Sequence, residues 1–244
     1  MSTLAPVSVD CPRCGAAVAG EVVIVANLGA RPDLRVAILQ RNMNVLQCSN
    51  CNHRVGVVRT VATLDFDRRT WIHCYPAWAE VHWAELATAT RMSCVRNLGV
   101  AAPRRLRDEL PLWRVRVVFG YEDLREKLVI DDAGLDDARV ERAKLALLAG
   151  RPAWGRAHVT LDEAGAALRF RVRTEAGEHL AAEADPSLLE AALPPGFSEA
   201  ALGVDPFVSF RRFLIPPRPV DPLTFDLDGR LNPFRDGSSL RNGW

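Results

Sequence analysis

Two cysteine pairs, Cys11-Pro12-Arg13-Cys14 and Cys48-Ser49-Asn50-Cys51, constrain this chain more than any other feature. Thiolates two residues apart grip one metal ion from a tight turn, and two such turns complete a tetrahedral shell of soft donors. Gly15 follows the first pair and Asn52 the second, and both residue types tolerate the left-handed backbone that such turns require there. Pro12 stiffens the first turn, and Ser49 takes its place in the second. The expected ligands are therefore Cys11, Cys14, Cys48 and Cys51, with structural zinc as the leading ion. Iron in a rubredoxin-like cage of four sulfurs is the runner-up, and a redox dithiol comes third. Catalytic zinc is disfavoured, because four thiolates leave no position open for water or substrate. His53, next to Cys51, could compete as a ligand, but a solvent-facing turn residue is the simpler reading. Cys74 and Cys94 lack paired spacing and read as small buried hydrophobes.

The chain has 244 residues, 48% hydrophobic and 25% charged, with a formal net charge of +1. That suits one large domain or two smaller ones. Near-neutral charge argues against a dedicated nucleic-acid binder, which relies on a strong basic excess. Met1 to Asp10 has neither the basic opening nor the apolar run of a signal peptide, and no stretch approaches the ~18 apolar residues of a membrane span. A cytoplasmic location is expected, where thiols stay reduced and paired cysteines act as metal ligands. Only two of the 31 basic residues are lysines, Lys127 and Lys144.

Between the cysteine pairs, Glu21 to Leu28 reads as a strand and Arg31 to Gln40 as a helix with an early proline. This is a ribbon whose loop has grown structure of its own, an insertion that costs little because loop entropy rises slowly with length. Asn44 to Gln47, Arg54 to Leu64 and Thr70 to Tyr75 read as further strands. Pro76 opens a helix from Ala77 to about Asn97, with Val81, Glu85, Leu86, Ala89 and Met92 on one side. Trp113 to Phe119 alternates like a strand with one wet face, and Arg139 to Ala149 forms a short helix stopped by Gly150 and Pro152. From His158 onward, three strands separated by DEAG and TEAGE turns form a meander. Asp185-Pro186 starts a helix over Ser187 to Leu193. Past Pro194-Pro195-Gly196 the chain has few periodic signals and is expected to lie as an extended tail on the body, or to be partly disordered.

Three segments resemble the CpXC family, prokaryotic proteins named for two cysteine pairs. They are CPRCG with the GEVVIVANL strand, NVLQCSNCNHRVGV over Asn44 to Val57, and RVVFGYEDLREKLVIDDAGLDDARVE over Arg116 to Glu141, with its LREK and GLDD motifs. Ser49 and Asn52 depart from the proline and glycine expected in the second pair. The resemblance, spanning Cys11 to Leu148, implies a metal-binding ribbon fused to a mixed α/β body, and nothing catalytic.

Asp131, Asp132, Asp136 and Asp137 do not follow a calcium-loop spacing and read as turn and helix-capping groups. Arg91, Arg96, Arg104, Arg105, Arg107, Arg114 and Arg116 read as a solvated face partly neutralised by those carboxylates. The alternative is a phosphate-binding patch beside Trp113. No triad partner, phosphate loop or dinucleotide fingerprint accompanies His73, His82, His158 or His179.

The expected fold class is α+β: a zinc-ribbon element joined to a mixed α/β body, with a C-terminal antiparallel meander. Expected parts are 1–152, a CpXC-like domain containing the ribbon; 153–215, a small α+β region; and 216–244, a Pro- and Asp-rich tail. The leading function is a non-enzymatic, zinc-binding interaction or accessory module with an unidentified protein partner and no membrane. A nucleic-acid binder is the alternative. An enzyme with a cleft between the halves is the third reading.

Overall fold

The computed structural model describes residues 2–202 and 206–219. Strands β1 (Thr3–Asp10) and β2 (Ala17–Asn27) form an antiparallel hairpin, and α1 (Pro32–Leu39) follows. β3 (Val45–Gln47) and β4 (Arg54–Gly56) make a separate two-stranded hairpin. β5 (Val61–Asp65) and β6 (Thr70–Tyr75) return to the main sheet. Helix α2 (Trp83–Cys94) is preceded by a 3₁₀ turn over Ala77–His82 and continues as a π-helical turn over Val95–Val100. After the short α3 (Arg104–Asp108), β7 (Arg114–Phe119) completes a five-stranded sheet ordered β1-β2-β5-β6-β7. Helices α4 (Tyr121–Asp132) and α5 (Asp137–Ala149) then lead into β8 (His158–Ala164), β9 (Leu168–Arg173) and β10 (His179–Ala184), the antiparallel meander. A single turn, α6 (Glu199–Leu202), precedes the last described segment.

β6 explains the layering. All six of its residues are buried, so both faces of the sheet are covered. Ile72 and Cys74 join Val23, Val61 and Val118 under α1 and α4, with Leu34, Ile38, Leu124 and Leu128. Trp71, His73 and Tyr75 point the other way, as period-two alternation demands. Tyr75 packs with Leu86 and Ala87 of α2, and Trp71 with Cys94 and Leu98. α5 packs its Val140, Ala143 and Leu147 onto β8 and β9.

Several expectations need correction. Arg54 to Leu64 is two strands in two sheets, because Tyr121 takes over the link: its hydroxyl accepts from the Arg59 N–H (3.2 Å) and lies 3.2 Å from the Val57 carbonyl. The buried side of α2 is Leu86, Ala87, Thr90 and Cys94, and Met92 is 63% exposed. Thr90 earns its place through the buried chain His73 Nδ1···Tyr75 Oη (3.3 Å) and Tyr75 Oη···Thr90 Oγ1 (3.4 Å). Ser187 to Leu193 shortens to a 3₁₀ turn over Pro186–Glu190, although Asp185 does accept from the Ser187 N–H. β7 has no continuous wet face, since Val117 to Phe119 are all buried. Of the expected tail, residues 220–244 lie outside the described residues.

α4 and α5 meet through ions. Lys144 Nζ donates to Glu126 Oε2 and Glu141 Oε1, both at 2.7 Å, and all three residues are buried. Glu126 also accepts from the Leu161 N–H of β8. Lys127 donates to Asp137 at 2.9 Å, and Arg116 pairs with the same carboxylate. Burial opposes charge on Asp137, yet Lys127 and Arg116 hold its carboxyl far below the ordinary carboxylate range. The LREK and GLDD motif residues thus supply core ion pairs. The sequence reads Asp137 as a capping or turn group, whereas its carboxylate is a buried counter-ion to Lys127 and Arg116.

Two predictions arise here. Asp136 accepts from the Ala138 and Arg139 N–H groups at the start of α5, so Asp136→Ala should cost about 1 kcal/mol by denaturant unfolding. Burial pushes His73 down to about 4, against about 6.5 in an unfolded chain. The unfolded state therefore binds the extra proton in this window. The contribution is intact above pH ~6.5 and is lost as pH falls towards 4, by about 3 kcal/mol. Unfolding midpoints from pH 7 to pH 4 should fall less steeply in His73→Gln than in the parent chain.

Candidate metal centre

The two hairpins carry the two turns at their tips. Cys11 follows β1 directly, and Cys48 follows β3. The turns are local copies of each other. The Gly15 N–H donates to the Cys11 carbonyl at 2.8 Å and the Asn52 N–H to the Cys48 carbonyl at 2.9 Å. The Cys11 N–H meets the Ala16 carbonyl, and the Cys48 N–H the His53 carbonyl, at 2.8 and 2.9 Å. Gly15 has φ 72° and Asn52 φ 55°, as the left-handed position requires. Substitution of asparagine for glycine in the second turn leaves its geometry intact.

What brings the hairpins together lies beside the cysteines. Asn44, also left-handed at φ 53°, uses its side-chain amide as a strand would: Oδ1 accepts from the Val23 N–H at 2.7 Å, and Nδ2 donates to the Val23 carbonyl at 3.0 Å. Leu46 lies over Gly20, where a Cβ would meet its Cδ2 at 2.8 Å. Val9, Val18, Leu46 and Val55 pack around Cys11 and Cys48. Pair spacing gives no signal for Asn44, since its partner is 21 residues away.

The four sulfur atoms lie within 4.8 Å of one another. Cys11 to Cys51 and Cys14 to Cys48 are each 3.6 Å. Four sulfurs ~2.3 Å from one tetrahedral ion would be separated by ~3.8 Å, so the cluster could hold a metal ion. Cys14, the exposed member, is held down at about 6 by hydrogen bonds from the Asn50 side chain and the Ala16 amide, with the neighbouring thiols adding to them. Cys51 receives the His53 amide, which lowers it, but desolvation and the three other cysteines push it up to about 12. Cys14 and Cys51 thus lie in opposite electrostatic surroundings within one cluster.

The remaining candidates separate cleanly. His53 is not part of the cluster. Cys74 and Cys94 are buried elsewhere in the core, and burial raises both thiols, Cys94 to about 11. Asp131 pairs with Arg68 and Arg114, and Asp132 with Arg35 and Arg68. Arg104 faces Asp108, and Arg105 faces Glu109. No helix among the described residues is long and apolar enough to cross a membrane.

Comparisons with curated proteins and with solved structures return no match. The family model described as CpXC protein matches residues 9–144, which takes in both cysteine turns, the five-stranded sheet from the end of β1 to β7, α4 and most of α5. With both turns and the intervening body inside that match, the chain belongs to the CpXC family.

Proposed function

We propose that this chain is a non-enzymatic protein in which Cys11, Cys14, Cys48 and Cys51 hold one structural zinc ion, and which works as a protein-interaction or accessory module in the cytoplasm. Residues 1–152 form its CpXC-like unit, with 153–215 as an α+β addition. The carrying observation is the set of four sulfurs within 4.8 Å: all four tetrahedral positions are taken by protein, leaving none for a substrate. Zinc is preferred to iron because a closed, redox-silent site suits a hairpin clamp. Protein is preferred to nucleic acid as partner because Arg104, Arg105, Arg114 and Arg116 each face a carboxylate, which reduces the charge offered to phosphates.

Elemental analysis of the purified chain should find about one zinc per molecule. A red, iron-containing preparation would replace zinc in this reading, and a folded chain without bound metal would end it. Affinity capture from native lysate should yield a stoichiometric protein partner. Salt-sensitive retention of nucleic acid instead would favour the alternative.

A further inference from the structure

We infer that the CpXC-like unit carries a peptide-binding groove, filled here in cis by residues 206–218, whose external ligand is a protein segment with two aromatic side chains followed by an arginine. Every anchor described below lies within residues 9–144 of the family match, whereas the segment itself, Pro206-Phe207-Val208-Ser209-Phe210-Arg211 onward, lies outside it.

The groove reads the main chain at successive points. The Val117 N–H on the outer edge of β7 donates to the Pro206 carbonyl at 2.9 Å, so that edge meets the segment through one main-chain bond. Lys127 Nζ donates to the Val208 carbonyl at 3.2 Å, and Glu141 accepts from the Phe210 N–H at 2.9 Å. Further on, Trp83 Nε1 donates to the Ile215 carbonyl at 3.0 Å, and the Arg218 N–H meets the Val81 carbonyl at 2.7 Å. Phe207 sits between Phe119 and Trp83, with ring centroids 5.1 and 5.7 Å away. Phe207, Val208 and Phe210 are buried.

The arginine requirement comes from Glu80. Its carboxylate, largely buried, is gripped by Arg211 through two parallel bonds of 2.6 Å. Losing that fork would leave a desolvated carboxylate without its guanidinium, so an incoming segment must bring a guanidinium of its own. Lys127 and Glu141 meet main-chain atoms that almost any segment offers, so the choice between occupants falls to Glu80 and to the aromatic slot that holds Phe207. The segment contributes one 3₁₀ turn, Phe210–Phe213, and is not a strand of the sheet.

This inference rests on the interaction-module reading and names its surface. The test uses the full chain and a fluorescein-labelled synthetic peptide of residues 206–218, with anisotropy as readout. Arg211→Ala and, separately, Phe207→Ala weaken the internal occupant; each should bind the peptide at least ~10-fold more tightly than the parent chain. Adding Glu80→Gln should cost most of that gain, as expected for a charged, desolvated contact. Absence of binding by both folded variants, or binding indifferent to Glu80→Gln, would overturn the groove. A parent chain that is a dimer exchanging this segment between two copies would also overturn it, in favour of a second copy as occupant. Should both variants fail to fold, hydrogen exchange on the parent chain decides. The Phe210 and Val117 amides should exchange at least ~10-fold faster than those of β6, and equal protection rejects a displaceable segment. A stoichiometric lysate partner whose capture ignores Glu80→Gln would keep the interaction module while rejecting this groove.

Discussion

Cys48→Ser should abolish stoichiometric metal binding and melt both hairpin tips while leaving the helical side of the molecule folded. Cys48 is completely buried between Val18 and Val55, so serine there replaces a soft ligand and also buries a hydroxyl. Structural zinc contributes about 10–16 kcal/mol of apparent binding free energy in small finger domains at neutral pH. Two short hairpins have no core of comparable size. The five-stranded sheet limits the damage, since β2 runs on from the tip into the body and pairs with β5 through Val25 to Asn27. Hydrogen exchange should therefore rise sharply over residues 9–20 and 45–56, with little change in α4 and α5. Metal content read in parallel should fall from about one ion per chain to background. Uniform exchange across the chain would instead tie the ion to global folding, and retained metal would remove Cys48 from the ligand set.

Lys144→Met should be the most destabilising change away from the cysteines, by about 3–5 kcal/mol in denaturant unfolding. Burial alone would discharge Lys144; Glu126 and Glu141 more than offset that and hold its ammonium above the ordinary lysine range. Without it, two buried carboxylates face each other, each still tied to a backbone N–H, of Leu161 and of Phe210. The variant must then take up a proton on folding. Its deficit should accordingly shrink as the medium is acidified from pH 8 to pH 5, because protonation relieves the uncompensated charge. Combining Lys144→Met with Glu126→Gln should recover part of the loss. A deficit independent of pH would point to lost packing of the lysine stem instead of electrostatics.

The cysteine turns were legible because presenting two thiols at one point from a tight turn makes demands on a few adjacent residues. Gly15 and Asn52 could be read as left-handed, and both are. The meander was legible too, since β9 alternates with one wet face, Arg169 and Arg173 outward against Leu168, Phe170 and Val172 inward, but β8 runs on through Ala164 and takes up most of the expected DEAG turn. α4 escaped the reading of periodicity for a physical reason: it buries Glu126 and Lys127 alongside Leu124 and Leu128, so its inner face is polar wherever a partner helix or strand supplies the counter-charge. β1 escaped because its hydrogen bonds come from β2 and its own sequence, interrupted by Pro6, carries little pattern. In α2 the phase was lost: entry through a 3₁₀ turn and exit through a π turn shift the face that meets the sheet, placing Thr90 inside and Met92 outside. Nothing local announces Asn44 or Arg211, whose roles depend on partners 21 and 131 residues distant.

Both lysines of the chain are locked in ion pairs inside the body, Lys127 only 7% and Lys144 only 3% exposed. No ε-amine is therefore presented to solvent by the native state. Amine-directed acylation, whether by a laboratory ester or an acyl-transferring enzyme, meets the α-amino group at most until these contacts open. Side-chain amine labelling becomes a clock for opening of this chain, reading release of the 206–218 segment at Lys127 and parting of α4 and α5 at Lys144.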